Sequence, residues 1–211
     1  HVTMDQVLEA VGEGVVGVQR LVWTGTLVIG PGRHTIDVLV RDPAANRATT
    51  RTLAVEVPPP ADGLRVSSVV LLRPRGFFFL RDQVQGDDPL VYQGDPLMPT
   101  LQPSLTVGAD THVRFYVAVY PAPGSAEPVT LKAELLRGGA KVGEAPLDLP
   151  KEESSGEVRY VGLLETRSFH PGSYVLRLVA RQGGTTAAEE APFVLAPEGP
   201  ARQRVSPAGV W

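Results

Sequence analysis

The side chains that most often perform chemistry in proteins are few and scattered in this sequence. The four histidines, His1, His34, His112 and His170, are far apart and lack the spacing of a metal-binding motif. The chain has no cysteine, which excludes disulfides, thiol nucleophiles and zinc–cysteine sites. Nucleophile-elbow, phosphate-loop and dinucleotide-binding motifs are missing from the sequence. We therefore predict no catalytic residue, no cofactor, no metal site and no enzymatic activity.

One acidic stretch offers oxygen atoms that could bind a cation. Asp82, Asp87, Asp88 and Asp95 fall within an irregular segment that contains several prolines. Carboxylates are suitable calcium ligands, but the spacing here is not that of an EF-hand loop. Aspartate followed by proline is also a common opening of a turn. Turn formation is the preferred interpretation of these aspartates, and calcium binding is the alternative.

Basic and aromatic residues cluster just before these aspartates and again at the end of the chain. Exposed arginines commonly keep strand edges solvated, and phenylalanines commonly fill a core or an interface between domains. An exposed aromatic patch would instead mark a contact with another protein. On that alternative, the predicted partner contacts are Arg73, Arg75, Phe77, Phe78 and Trp211.

Composition narrows the class of protein. The 211 residues include 20 basic and 23 acidic side chains, a formal net charge of −3. This balance provides no domain-wide basic excess for neutralising phosphates, so we predict no nucleic-acid partner. No stretch approaches the roughly 18 apolar residues of a membrane-spanning helix, so we predict no membrane span. Frequent glycine and proline, 22 and 20 residues, together with 43% hydrophobic residues, are typical of many short strands joined by turns.

A repeat with an offset of 140 residues indicates where two of these strands begin. Gly30–Arg41 aligns with His170–Arg181, and in both copies a Pro-Gly turn precedes alternating apolar and polar residues. Alternation of this kind predicts a strand with one face toward a core. The predicted inward side chains are Ile36, Val38 and Val40 in the first copy and Leu176, Leu178 and Ala180 in the second.

The residue that follows each Pro-Gly pair by two positions is also informative. Tyr174 fits the tyrosine corner of immunoglobulin-like sandwiches, in which the ring packs and the hydroxyl bonds to nearby backbone. His34 occupies the equivalent position and is a poorer substitute for that role. An ordinary turn between a loop and a strand is the alternative interpretation.

Further alternating segments extend the pattern along the chain. The segment Pro58–Pro60 interrupts strand pairing, because proline has no amide hydrogen to donate. We therefore place a domain boundary at Pro58–Gly63. The later predicted strands are Leu64–Leu72, Val113–Tyr120, Val129–Arg137, Lys141–Leu149, Glu157–Glu165, Ser173–Arg181 and Thr185–Leu195.

These strands predict an all-β protein with two tandem immunoglobulin-like or fibronectin III-like β-sandwiches. Residues 1–60 form the first domain, which is short or incomplete, and residues 61–196 form the second. Residues 197–211 form a Pro/Arg-rich tail. The residues that we predict to be buried are Val38, Val40, Phe115, Val117, Leu131, Leu176 and Leu178.

Three stretches taken together resemble a known family. The first is Leu27-x-x-Gly-Pro-Gly-Arg-His-x-Ile-x-Val-x-Val-Arg-Asp42, followed by Val55-Glu-Val-Pro58. The second is Gly63-Leu-Arg-Val-Ser-Ser-Val-Val-Leu71, and the third is Leu101-x-Pro-Ser-Leu105, which leads into Val113-Arg-Phe-Tyr-Val-Ala-Val-Tyr120. This order resembles the C-terminal region of bacterial von Willebrand factor A-related (VWFA-related) proteins. The Asp-x-Ser-x-Ser metal site of that family's A-type domain does not occur here, so no metal role is transferred. The resemblance implies an accessory sandwich region of an exported protein, periplasmic, cell-surface or extracellular, in adhesion or assembly.

These observations favour a non-catalytic structural or protein-interaction module of a larger exported bacterial protein. Residues 1–57 supply only about four or five plausible strands, whereas an immunoglobulin-like sandwich needs about seven. Either the first domain belongs to a longer chain or a protein partner in a larger assembly completes it. The alternative function is a carbohydrate-binding β-sandwich. Sugar platforms need exposed flat aromatic rings, and here Trp23, Trp211 and the five tyrosines are scattered along the chain.

Overall fold

The structure is a computed structural model that describes residues 22–24, 27–42, 45–59, 61–72, 79–81, 90–100, 104–106, 112–150 and 156–197. These residues form strands and no helices, so the predicted all-β class is confirmed. The strands are β1 (Val22–Thr24), β2 (Gly32–Asp42), β3 (Arg47–Val57), β4 (Arg65–Val66), β5 (Val70–Leu72), β6 (Phe79–Arg81), β7 (Val91–Tyr92), β8 (Asp95–Pro96), β9 (Ser104–Thr106), β10 (His112–Tyr120), β11 (Val129–Arg137), β12 (Ala140–Leu147), β13 (Val158–Glu165), β14 (Gly172–Gln182) and β15 (Thr185–Ala196). Within this part of the chain, no helix is long and apolar enough to cross a membrane.

Two sheets pack against each other in the C-terminal part of the chain. The first, which we name the β10 sheet, has the order β13-β10-β4, and β5 also pairs with β10. The second, which we name the β14 sheet, has the order β12-β11-β14-β15-β9. Neighbouring strands are antiparallel except for β15 and β9, which are parallel. Side chains from both sheets form one hydrophobic core.

Strand β10 is central to this core because its side chains alternate between two buried faces. Phe115 and Val117 point toward the β14 sheet, where they meet Leu131, Leu176 and Leu178. All five residues are buried, as predicted. Period-2 alternation in β10 therefore places a continuous row of large apolar side chains over the β14 sheet.

The opposite face of β10 is covered as well. Tyr116 and Ala118 are buried beneath the β7–β8 hairpin, which contributes Leu97 to a second, smaller cluster. Arg159 donates a hydrogen bond of 3.3 Å from Nη1 to the carbonyl oxygen of Val91, which holds the hairpin against β13. Burial on both faces explains why the sequence of β10 is almost continuously apolar.

The predicted strand Leu64–Leu72 is divided in the structure into β4 and β5. Between them, the Ser67 amide donates to the carbonyl oxygen of Ala118 at 2.8 Å. The Ser67 hydroxyl oxygen accepts from the Ala118 amide at 2.9 Å, where a ladder bond to a backbone carbonyl would otherwise form. A side chain that satisfies a backbone amide therefore interrupts the strand.

Strands β2 and β3 form a separate two-stranded sheet in the described part of the chain. The prediction that Val38 and Val40 are buried is wrong, since 37% and 58% of their surfaces are exposed. The alternation of the strand was read correctly, but no second layer lies on this face among the described residues. The domain division at 1–60, 61–196 and 197–211 and the tandem immunoglobulin-like arrangement stay predictions.

Candidate interaction surface

The two Pro-Gly turns of the sequence repeat have the same local geometry. Gly32 and Gly172 have φ angles of 127° and 153°, which favour glycine. Tyr174 donates a hydrogen bond of 2.8 Å from its hydroxyl to the carbonyl oxygen of His170, which confirms the predicted tyrosine corner. His34 donates from Nε2 to the carbonyl oxygen of Gly30 at 2.7 Å, again four residues back along the chain. The histidine, expected to be a poorer substitute, makes the equivalent bond.

The strands that follow these turns also pair in equivalent registers. In the first hairpin Ile36 lies opposite Leu53, and in the second Leu176 lies opposite Ala191. Side chains of directly opposed residues share one face of an antiparallel sheet. The same face of β2–β3 therefore carries a set of apolar residues that we name the hairpin face. It consists of Ile36, Val38, Val40, Leu53, Val55 and Val57.

The two equivalent faces differ in what covers them. Leu178 is fully buried in the sandwich core, whereas its counterpart Val38 is exposed. Ala191 is buried as well, whereas 51% of its counterpart Leu53 is exposed. The β10 sheet covers β14–β15, and in the described residues the hairpin face has no such layer.

The opposite face of β2–β3 is mostly polar, although it also carries Leu39, which is exposed. Thr52 donates a hydrogen bond of 2.6 Å from its hydroxyl to the carboxylate of Asp37 across the two strands. Arg33 forms an exposed ion pair with Glu56, with 3.6 Å between Nε and Oε2. Because one face is polar and the other apolar, the hairpin has the pattern of a sheet that packs on one side only.

The outer face of the β14 sheet is the other surface with a concentration of functional groups. Lys132 Nζ lies 2.7 Å from Glu134 Oε1, and Arg177 Nη2 lies 2.5 Å from Glu190 Oε1. Lys141 also forms an ion pair with Glu144. Of these residues, Glu134, Arg177 and Glu190 line a shallow groove of about 610 Å³.

Each charge in this network is balanced by an opposite charge nearby. The hydrogen bond from Lys132 holds the pKa of the Glu134 carboxyl below its usual value. The hydrogen bond from Lys141 likewise lowers the pKa of Glu144, and the bond to Glu134 raises the pKa of Lys132. Ion pairs of this kind keep the outer face of a sheet compatible with water. Because each charge already has an opposite partner, the charges need no ligand to balance them.

The predicted partner contacts lie outside the described residues. These are Arg73, Arg75, Phe77, Phe78 and Trp211. Asp82, Asp87 and Asp88 of the acidic stretch lie outside them too, and Asp95 begins β8. Among the residues that the structure describes, no group of three or more histidines or carboxylates could hold a metal ion. Partner docking and calcium binding by these residues stay predictions.

The described tyrosines do not form an exposed aromatic platform. Tyr116 and Tyr174 are buried, and Tyr92, Tyr120 and Tyr160 are half-buried. The Arg65 guanidinium lies over the Tyr120 ring at 5.1 Å from its centroid, which covers part of that ring. Sugar-binding platforms use exposed flat rings. The carbohydrate-binding alternative therefore rests on Trp23 and Trp211, whose side chains lie outside the described part of the structure.

Sequence reasoning placed the contact residues elsewhere and missed the hairpin face as a set. The signal that could have found it was present in two observations. The 140-residue repeat marks the equivalence of the two hairpins, and the shortage of strands in residues 1–57 indicates an uncovered face.

Comparison with known proteins provides no argument about the fold or the function of this chain. No protein-family profile matches the sequence, and no curated protein matches it. A solved structure that is similar to part of the chain is the endo-β-1,4-mannanase from Thermotoga petrophila. The match has 14% identity and a TM-score of 0.31, and it covers 48% of this chain and 19% of the mannanase. A likeness of this size carries no argument about activity.

This comparison nevertheless corrects one prediction. The prediction that the chain is not an enzyme is withdrawn, because the solved structure that is similar to part of the chain is an enzyme and the comparison gives that exclusion no support. The match points to no catalytic residue in this chain. Catalysis by this chain is therefore no longer excluded, and no reaction is assigned to it.

Proposed function

We propose that this chain is a structural and protein-interaction module of a larger exported protein, similar to the accessory region of bacterial VWFA-related proteins. The observation that supports this proposal is the incomplete cover of the hairpin face, on which Val38, Val40 and Leu53 are exposed and Ile36, Val55 and Val57 are half-buried. Six apolar residues occupy it in positions whose counterparts form the core of the C-terminal sandwich. An amphipathic sheet of this kind gains stability when another polypeptide covers it.

The geometry of β2–β3 favours recruitment of a protein over exposure to water. Contiguous exposed apolar surface on soluble proteins commonly marks an interaction site. Strands β2 and β3 are each 11 residues long, and each has one edge that no described strand pairs with. Unpaired edges of this length commonly bind an additional strand.

The C-terminal sandwich provides the rigid part of such a module. Its core is continuous between two sheets, and β10 is buried on both faces. The ion pairs on the outer face of the β14 sheet oppose stacking of that face on other sheets, because a partner sheet would have to desolvate them. Association is therefore directed to the β2–β3 hairpin.

The proposal can be tested on the protein as its own cells produce it. We expect the native mass of the complex that contains this chain, measured by light scattering after mild extraction, to fall when Val38→Ser and Val40→Ser are combined. A matched control combines Leu39→Ser with Thr50→Ala, two positions that lie opposite each other on the polar face. A native mass that never exceeds one chain would contradict the proposed function.

Export is a separate part of the proposal and has its own test. Protease added to intact cells should cleave the chain if it is on the cell surface, and osmotic release should liberate it if it is periplasmic. Retention of the intact chain after both treatments would contradict export.

A further inference from the structure

The outer edge of the β10 sheet carries a row of side chains that is complementary to itself. We propose that strand β13 pairs antiparallel with β13 of a second copy of this chain, with Gly162 of each copy at the two-fold axis. The two β10 sheets then form one continuous sheet across the dimer. This edge pairing is separate from the proposed function, in which a different partner stacks on the hairpin face.

Strand β13 is the outermost strand of its sheet among the described residues. All eight of its residues pair with β10, and no described strand pairs with its other edge. The backbone amides and carbonyls on such an edge are a template for one more strand.

Two other strands of the sandwich have an unpaired edge in the described part of the chain, and both contain features that discourage pairing. Pro146 lies in β12, whose register with β11 also shifts between Leu135 and Leu136. Pro192 lies in β15. Strand β13 has no proline, keeps an unbroken register with β10, and directs only apolar side chains and one glycine toward the core. Because proline and irregular register protect edges, β13 is the edge best suited to pairing.

The outward row of side chains on β13 provides the complementarity. Alternate residues share one face of a strand. In chain order, the outward row and the residues that flank it are Glu157, Arg159, Val161, Leu163, Glu165 and Arg167. In an antiparallel pair centred on Gly162, Arg159 of one copy lies opposite Glu165 of the other, and Val161 lies opposite Leu163. Just beyond the strand, Glu157 lies opposite Arg167.

These charges also select the register. Shifting one copy by two residues would place Glu157 opposite Glu165 in one direction, or Arg159 opposite Arg167 in the other. Like charges directly opposite each other destabilise a strand pair. A shift by one residue would turn the inward side chains to the wrong face. The register centred on Gly162 avoids both costs.

Each charge in the row already has a neighbour of opposite sign on its own chain. Arg159 forms an ion pair with Glu157, and Arg167 Nε lies 3.6 Å from Glu165 Oε1. In the dimer, each of these side chains gains a second opposite charge across the strand boundary. Pairing therefore covers no charge that lacks a counter-charge.

Leu163 is the apolar residue that the second copy covers. Its surface is 61% exposed, whereas Leu164 on the other side of the strand packs against the sandwich core. In the dimer, Leu163 contacts Val161 of the other copy, which belongs to the cluster around Tyr116. Eight paired residues span roughly 26 Å. An interface of this length is small, so we expect a reversible dimer.

Sedimentation equilibrium of the 211-residue chain over a range of concentrations measures this dimer. Leu163→Lys should raise the Kd about tenfold or more, because a lysine on the edge opposes pairing and would face an apolar residue of the other copy. Val142→Lys adds the same charge to the edge strand β12, where 47% of Val142 is exposed. This control should leave the Kd within about twofold.

The charge pairing is tested by exchanging two charges. Glu165→Arg combined with Arg167→Glu keeps the net charge and the local ion pair, but it places each new charge opposite a like charge of the other copy. The Kd should rise about tenfold or more. Arg33→Glu combined with Glu56→Arg exchanges another exposed ion pair, on β2–β3, and should leave the Kd within about twofold.

The register is tested with single thiols, because the sequence has no cysteine. Under mild oxidation, a mixture of Val161→Cys and Leu163→Cys chains should form mixed disulfide dimers in preference to dimers of either variant alone. Only the mixed pair places two thiols directly opposite each other. A mixture of Leu163→Cys with Val142→Cys is the control and should show no such preference. Far-UV circular dichroism checks that each variant folds.

Three results would overturn the inference. A chain that stays monomeric up to millimolar concentration would exclude the dimer. A dimer that tolerates Leu163→Lys or the charge exchange, or that is lost in the Val38→Ser/Val40→Ser variant, would place the contact elsewhere. Mixed thiols that show no preference for each other would exclude the register. The proposed function is decided separately, by the native mass of the extracted complex and its fall in the Val38→Ser/Val40→Ser variant.

Discussion

The β2–β3 and β14–β15 hairpins begin with the same turn, have first strands of equal length and pair in equivalent registers, yet one is exposed and the other is the centre of a core. Their inward residues differ mainly in size. The second hairpin uses Tyr174, Leu176 and Phe193 where the first has His34, Ile36 and Val55. The comparison shows that local sequence builds the hairpin and that a neighbouring sheet decides its burial.

The ends of the two hairpins differ in the same way. Gln182 is buried, and its side chain accepts a bond from the Ala122 amide at 2.7 Å and donates to the Glu127 carbonyl at 3.0 Å. At the equivalent place, Asp42 accepts a bond within its own turn, from the Ala45 amide at 3.0 Å. The second hairpin is therefore tied to the loop between β10 and β11, and the first is stabilised locally.

The largest expected effect is on the free energy of unfolding, when one apolar side chain on each of the two equivalent faces is truncated to alanine. Leu178→Ala should lower the free energy of unfolding by about 2–5 kcal/mol, because it leaves a cavity in a fully buried site. Val38→Ala, at the equivalent exposed position, should cost less than about 1 kcal/mol. Urea unfolding followed by far-UV circular dichroism measures both. Equal costs would show that Val38 is covered in the isolated chain.

A tight contact in the covering sheet gives the next largest effect. Gly162 lies opposite Phe115, and a Cβ atom at this glycine would lie only 2.2 Å from the Cζ atom of that ring. Gly162→Ala should therefore cost about 1–3 kcal/mol, as expected for overpacking. Adding Phe115→Leu should recover part of this loss in a double-mutant cycle. Gly143→Ala, where the nearest atom is 3.9 Å away, is the control and should change stability by less than about 0.5 kcal/mol.

A smaller difference in unfolding free energy is expected between the two turn hydrogen bonds, that of Tyr174 to His170 and that of His34 to Gly30. Tyr174→Phe removes the hydroxyl bond to His170 next to the core and should cost about 0.5–1.5 kcal/mol. His34→Phe removes the corresponding bond to Gly30 in an exposed setting, and we expect less than about 0.5 kcal/mol. A loss for His34→Phe as large as that for Tyr174→Phe would contradict the difference in burial between the two turns.

The smallest expected effect is the pH dependence of stability that comes from the ion pairs on the outer face of the β14 sheet. The pKa values of Glu134 and Glu144 are lowered in the folded chain, so their contribution is present above the unfolded pKa and is lost as the pH falls through the folded pKa. The urea midpoint should therefore fall between pH 7 and pH 3, and Glu134→Gln should flatten this fall. Glu165→Gln removes an exposed pair with Arg167 and serves as the control. An identical pH profile for Glu134→Gln and the unmodified chain would rule out this contribution.

Much of the C-terminal sandwich could be predicted because its strands carry strong local signals. The segment Val129–Arg137 was predicted with the bounds that the structure shows, and β10, β13, β14 and β15 were predicted to within one residue at each end. Alternation, glycine turns and the Pro-Gly pairs are properties of short segments, so a single sequence suffices to identify them. The division of Leu64–Leu72 could not be found in this way, because it depends on a bond between Ser67 and the distant Ala118.

The candidate surface was only partly predictable, for a related reason. The sequence identified the alternation of Ile36, Val38 and Val40 and indicated that residues 1–57 are short of strands. The side chains of Val38 and Val40 were nevertheless assigned to a core, because the pattern of a strand is the same whether or not a second layer is present. The absence of that layer is a property of distant residues.

The sequence by itself determined the all-β class, the positions of most strands and the two turns at which Tyr174 and His34 bond four residues back. These features depend on backbone preferences and on contacts between residues close in the chain. Only the tertiary structure decided which apolar faces are covered. It placed the β10 sheet over β14–β15, added the β7–β8 hairpin to the other side of β10, and left the hairpin face of β2–β3 exposed. Burial requires segments far apart in the chain to meet, so identical local patterns have different outcomes.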